Sequence, residues 1–317
     1  MATFLCRALL TAVLAQGTAA VPPQDSVAPP QAAVTREPSD GRGWAALGRG
    51  YLAVFTADHG VETQRDSVWT LAVLDSADRA LARAATLLGP AGLSPEGDSA
   101  RVLRVQVWSE RALLAWERGG ITRGAEVWGP VPADLRLSPV LEELGENLLR
   151  ACPTRGVLLT AAAADSYAAW YMRYVRGLRA DLLVVPLSVW RGDSLFRVRA
   201  AADLKLGAAG RGQGWLSALV ERRAACVSMA FERPPDSRPR VRWGTRPLVW
   251  VAGVHGKDER VPPRDFVFAA LAMALDDRDP WARSALEVYA RAARATPALC
   301  EALGGFNIPS RASGCRR

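Results

Sequence analysis

One stretch, residues 155–190 (RGVLLTAAAADSYAAWYMRYVRGLRADLLVVPLSVW), restricts the fold more than any other part of the chain. It spells a strand, a short loop, an amphipathic helix and a second strand. The apolar run 157–160 enters a loop of small residues, and Asp165-Ser166 offers a cap for the helix that follows. Tyr167, Tyr171, Tyr174 and Leu178, at spacings of 4, 3 and 4, share one face of that helix. Gly177 marks its end, and residues 182–189 form a second, apolar strand. A helix between two strands implies parallel pairing, because a parallel pair needs a crossover. In such sheets ligands sit beyond the carboxyl ends of the strands. The candidate ligand loop is therefore 160–166, with Thr160, Asp165 and Ser166 as its polar members.

The remainder of the 317 residues builds outward from this unit. Upstream, Trp44, Leu47, Gly48 and Tyr51 match W-x2-L-G-x2-Y, the opening of a tetratricopeptide repeat. Gly48 would let a partner helix approach closely. Further helices are expected over 66–88, 98–118 and 121–128, with a glycine pair at 119–120 separating the last two. Ser138 and Pro139 open another. Downstream, 191–201 and 215–223 have helical patterns, 225–231 and 241–252 strand patterns, and 264–275 and 281–295 helical patterns again. The expected class is α/β with an all-α N-terminal part. A tetratricopeptide-like helical bundle (44–150) precedes a small βαβ-based sheet domain of four or five strands (151–262), then C-terminal helices and a tail (263–317).

The start of the chain bears on compartment. Residues 1–20 carry one positive charge, an apolar stretch and small residues up to Ala20, the pattern of a secretory signal peptide. Residues 21–43, with five prolines, are expected to be a linker too polar to order itself. No later segment is long and apolar enough to span a bilayer, so the expected product is exported, periplasmic or extracellular. Cys6 lies within the leader, leaving Cys152, Cys226, Cys300 and Cys315. In an oxidising compartment an even set suggests disulfides. Bridging Cys300 to Cys315 would secure a Gly/Pro-rich tail. Cys152 and Cys226 either pair or remain buried thiols.

A net charge of +8 and a pI near 9.8 invite a nucleic-acid reading. The basic residues, however, are scattered arginines, with Lys205 and Lys257 as the two lysines, and no basic stripe appears. Nucleic acid is therefore not an expected partner. No zinc spacing, P-loop or nucleophile elbow is present, and no metal or cofactor is expected. His255, after a predicted strand and near Asp258 and Glu259, joins the candidate ligand-binding residues; His59 at a helix end is expected on the surface. Most of the eleven tryptophans fall at predicted core positions.

The run from Leu159 resembles the soluble C-terminal region of GT-C-class protein O-mannosyltransferase-like membrane proteins and their exported relatives. That family's pattern is similar to L-F-T-N-G-D-N-D-T-F-P-L-W-Y-L followed by G-x-R-P-D-V-x-V-V-N-L-S. Here stand Leu159, Thr160, Asp165, Ser166, Tyr167, Trp170 and Tyr171, then Gly177, Arg179, Asp181, Val184, Val185, Leu187 and Ser188. A fainter echo covers 222–231. Four alanines (161–164) stand where the family has N-G-D-N, and Pro186 stands for its Asn. The family's membrane-embedded catalytic half has no counterpart in the sequence. The resemblance implies a fold and an exported setting rather than transferase activity. The expected function is a non-catalytic interaction or accessory protein of the cell envelope, binding a protein partner through helical repeats. The alternative is an enzyme or glycan-binding protein of glycoconjugate metabolism using the 160–166 loop.

Overall fold

The computed structural model describes residues 26–59, 67–90, 92–127, 132, 134–161, 163–208, 212, 214–236, 240–253, 262–277, 279 and 281–315. The expected signal peptide and His255 lie outside these residues. Within them the chain is mixed α/β.

The N-terminal part is helical: α1 (Ala28–Arg36), α2 (Gly41–His59), α3 (Ser67–Leu87), α4 (Pro95–Val127) and α5 (Pro139–Ala151). Helix α1 corrects the linker expectation. Two prolines fall at its first turn, where a missing N–H is harmless, and Val34 buries itself in a cluster with Leu47 and Ala80. Asp40 opens α2 by accepting from the N–H groups of Arg42 (2.9 Å) and Gly43 (3.0 Å). Gly48 meets α3 as expected, since a Cβ there would lie 2.5 Å from Leu81 Cγ. The expected break at 119–120 is absent, and α4 runs through both glycines. A helical glycine costs about 1 kcal/mol relative to alanine, which weakens a helix without terminating it, and no proline follows Pro95 in this helix.

The sheet comprises β1 (Val157–Thr160), β2 (Leu183–Pro186), β3 (Ala225–Ser228), β4 (Gly244–Arg246) and β5 (Val249–Ala252). Their order is β2-β1-β3-β5-β4, with β1 parallel to both β2 and β3, and the other pairs antiparallel. The three parallel strands are buried along their whole length, as expected for strands covered on both faces. Between β1 and β2 runs α6 (Ala163–Trp170), continued by a π-helical turn (Tyr171–Val175). The remaining helices are α7 (Leu187–Gly192), α8 (Ser194–Asp203), α9 (Trp215–Val220), α10 (Ala269–Asp276), α11 (Ala282–Ala295), α12 (Leu299–Gly305) and α13 (Ser310–Ser313).

Two strands differ from expectation, and proline is the reason in each. The apolar run 182–189 is a strand only to Pro186, where the absent N–H ends the ladder and α7 begins with Leu187 and Trp190 buried. Hydrophobicity alone cannot separate a buried strand from a buried helix. The run 241–252 folds into the β4–β5 hairpin, turned at Pro247 and at Leu248, whose φ is 68°.

One hydrophobic core spans the sheet, α5, α6 and the C-terminal helices, so 263–317 packs into the same core as the strands. Helix α4 belongs to two cores. Val102, Val105 and Trp108 join the sheet's cluster, while Ala100, Val107 and Leu114 join the cluster of α2 and α3. Between these faces Arg104, 4 % exposed, pairs with Asp78 (3.0 Å) and Asp134 (2.6 Å).

Candidate functional site

The parallel strands carry a switch in order at β1, with β2 on one side and β3 on the other. A ligand crevice is expected at their carboxyl ends, Thr160 and Ser228. Thr160, Asp165 and Ser166 do meet there, but inward. Asp165 is fully buried and its Oδ2 accepts the N–H of Ala161 at 2.8 Å. Because α6 starts at Ala163, Asp165 stands in its first turn and ties the loop to the helix. Ser166 Oγ donates to Thr160 Oγ1 at 2.8 Å, and Thr160 is also fully buried. Ser228 is buried as well, its Oγ accepting the N–H of Ala230 at 3.1 Å.

Helix α4 packs on α6 and α8. Across this contact the Tyr167 phenol donates to Gln106 Oε1 at 3.0 Å. Burial, then the nearby Glu110 charge, pushes that phenol up to about 12, so it stays protonated and serves as a donor rather than a base. The polar groups at these strand ends therefore bond to one another, with Thr160 and Asp165 fully buried and Ser166 half-buried. His255 is not placed.

The rest of the 155–190 pattern has structural uses. Gly177 takes φ +70°, the left-handed conformation that suits a residue without Cβ. Arg179 donates to the carbonyls of Leu149 (2.8 Å) and Cys152 (3.2 Å) at the end of α5, and pairs with Asp181 at 2.9 Å. Asp181 also accepts the N–H of Arg155 at 2.8 Å. The Arg179 hydrogen bond is the main cause that holds the Asp181 carboxyl down, to about 2. Tyr171, buried, donates to the carbonyl of Leu135 at 3.1 Å.

Both cysteine pairs are bridged. Cys300 joins Cys315 as expected, and Cys152 joins Cys226, linking the end of α5 to β3.

The sequence reading missed a groove beside the hairpin. It is an open cleft of about 1130 Å³, lined by Arg233, Arg240, Arg242, Trp243, Thr245 and Trp250, with Pro234-Pro235 as a wall. Trp250 stands between Val227 and Thr245 in the ladder, so one row passes from fully buried to half-buried to exposed across the sheet. Trp243 is half-buried too, and both rings pack against the main core with part of their surface left to the groove. A hint was present in the alternation of arginine and proline through ERPPDSRPR, but the tryptophans that complete the groove arrive from beyond that segment.

Comparison with known proteins returns no matching family model, no matching curated protein and no matching solved structure.

Proposed function

We propose that this chain is an exported, non-catalytic interaction or accessory protein of the cell envelope. The observation that carries the reading is the internally bonded loop: where an α/β enzyme keeps reacting groups accessible, Thr160 and Asp165 are fully buried and Ser166 is bonded to Thr160. Export is supported by the signal-peptide pattern and by two disulfides, which persist in oxidising compartments. Among the described residues no helix is long and apolar enough to cross a membrane. The resemblance of 155–190 to the soluble domains of O-mannosyltransferase-like proteins fits the same setting. On this reading α2 and α3 are a tetratricopeptide-like pair that offers a protein partner its surface, supported by the close approach at Gly48.

The test pairs a glycoconjugate turnover screen with the Asp165→Asn/Ser166→Ala double variant of the mature protein. The expected result is no turnover by either form. Turnover that the double substitution abolishes would overturn the non-catalytic reading. Export is checked separately by fractionating cells that express the full chain, and a reduced, cytoplasmic product would defeat it.

A further inference from the structure

The groove beside β4 and β5 combines two kinds of surface that the internally bonded loop lacks. One is flat and apolar: the half-buried rings of Trp243 and Trp250, the second held in the sheet between Val227 and Thr245. The other is cationic. Arg233, Arg240 and Arg242 line the same groove and are exposed. An adjoining cleft shares Arg233 to Asp236 and extends to Arg191, which is exposed as well. Against these arginines the two clefts hold two acids, Glu232 and Asp236, and Asp236 approaches Arg233 at a loose 3.7 Å with both side chains largely exposed. Such an exposed pair holds its partners weakly, leaving the guanidinium available to a ligand.

A ligand that fits must offer carboxylates to planar guanidinium groups and, at the same spacing, a flat face bearing C–H groups to indole rings. Guanidinium forks match carboxylates in two-point contacts, and aromatic faces take large apolar area at little entropic cost. A chain of uronic-acid pyranoses carries both features in every residue. An acidic peptide carries the charge without the flat face. Single-stranded nucleic acid carries both, but a chain with two disulfides belongs to a compartment where glycans are the abundant polyanions.

We infer that the groove lined by Trp243, Trp250, Arg233, Arg240 and Arg242 binds a carboxylate-bearing glycan, with pyranose faces on the two tryptophans and carboxylates on the arginines. The assignment rests on the exported setting proposed above and not on the internally bonded loop.

The experiment is titration of the mature full-length chain with a galacturonate hexamer, followed by tryptophan fluorescence and by calorimetry. A neutral glucose hexamer, a glutamate hexamer and a thymidine oligonucleotide serve as competing probes. The galacturonate hexamer should bind, at least tenfold more tightly than each of the other three, and should weaken as salt rises. Arg240→Glu/Arg242→Glu should cost at least tenfold in affinity, and Trp243→Ala should cost a comparable amount with loss of the fluorescence change. Arg240, Arg242 and half-buried Trp243 lie at the rim, so circular dichroism melting should confirm that these variants fold. Absence of galacturonate binding, equal binding of the neutral hexamer, or indifference to both variants overturns the assignment. Tighter binding of the peptide or the oligonucleotide also overturns it and hands the groove to that class. None of these outcomes depends on the fractionation result, so a failed groove and a failed export reading remain distinguishable.

Discussion

The two ends of the sheet treat polar side chains in opposite ways. At the carboxyl ends of β1 and β3, Thr160, Asp165 and Ser228 are buried and each has a partner within a few residues. At the β4–β5 hairpin, Arg240, Arg242 and Thr245 are exposed along an open groove. The difference follows from topology. Parallel strands are covered on both faces, and these three are buried along their whole length. An antiparallel hairpin at the edge can leave one face to solvent. Polar groups in the first region have spent their hydrogen-bonding capacity on holding the fold, while those in the second retain it for a ligand. Position at a strand end is therefore a weaker indicator of function than unspent capacity.

Four measurements can break or sharpen this contrast. The largest effect is expected at the amino-terminal side of the buried parallel strands, where Cys152→Ser/Cys226→Ser opens a crosslink of sequence separation 74. Loop-closure entropy puts its loss at about 4 kcal/mol, read from chemical denaturation, and a change under about 1 kcal/mol would mean the sheet needs no such tie. Asp165→Ala comes next. It removes a buried carboxylate and strands the Ala161 N–H, at a cost of about 3 kcal/mol. A neutral result there would show that the loop is looser than its hydrogen bonds imply.

Arg240→Ala/Arg242→Ala supplies the opposite expectation, a stability change within about 0.5 kcal/mol, because exposed side chains outside special backbone sites contribute little. A loss comparable to that of Asp165→Ala would make the groove structural and erase the contrast. The fourth measurement is a pH dependence at Asp181. Its carboxyl is held at about 2 in the folded chain, below its ordinary 3.8, so its contribution is present above about pH 3.8 and disappears as pH falls through 2. Asp181→Asn should therefore lower the melting temperature near neutral pH, and the gap to the native chain should close on acidification. A gap unchanged at pH 2 would remove the ion pair as its cause.

Much of the scaffold was legible because local chemistry enforces it. Val157–Thr160 is a strand at the predicted bounds, α6 carries Tyr167 while Tyr171 opens the π-helical turn that continues it, and Gly48 meets α3. The misreadings share another cause. Pro29 and Pro30 fit a linker by composition but start α1, while Pro186 and Pro247 interrupt the apolar runs 182–189 and 241–252 and end strands there. A proline's effect depends on whether its missing N–H falls at a first turn or inside a ladder, and that is set by neighbours distant in sequence.

The candidate site was legible in membership and not in character. Thr160, Asp165 and Ser166 meet in one loop, yet their burial follows from packing that the local sequence does not specify. The groove shows the reverse case. Its arginines lie close together in sequence, within 233–242, but only the hairpin turn at Leu248 brings Trp250 back beside Thr245 near them.

By itself the sequence determined the βαβ unit, the helical N-terminal part and the cysteine set, because hydrophobic period, capping residues and composition act over a few neighbours. Tertiary structure alone decided which polar residues are spent and which remain available. Burial and hydrogen-bond satisfaction are properties of what packs over a residue, and in this chain the partner lies far off in sequence, as Gln106 does 61 positions from Tyr167.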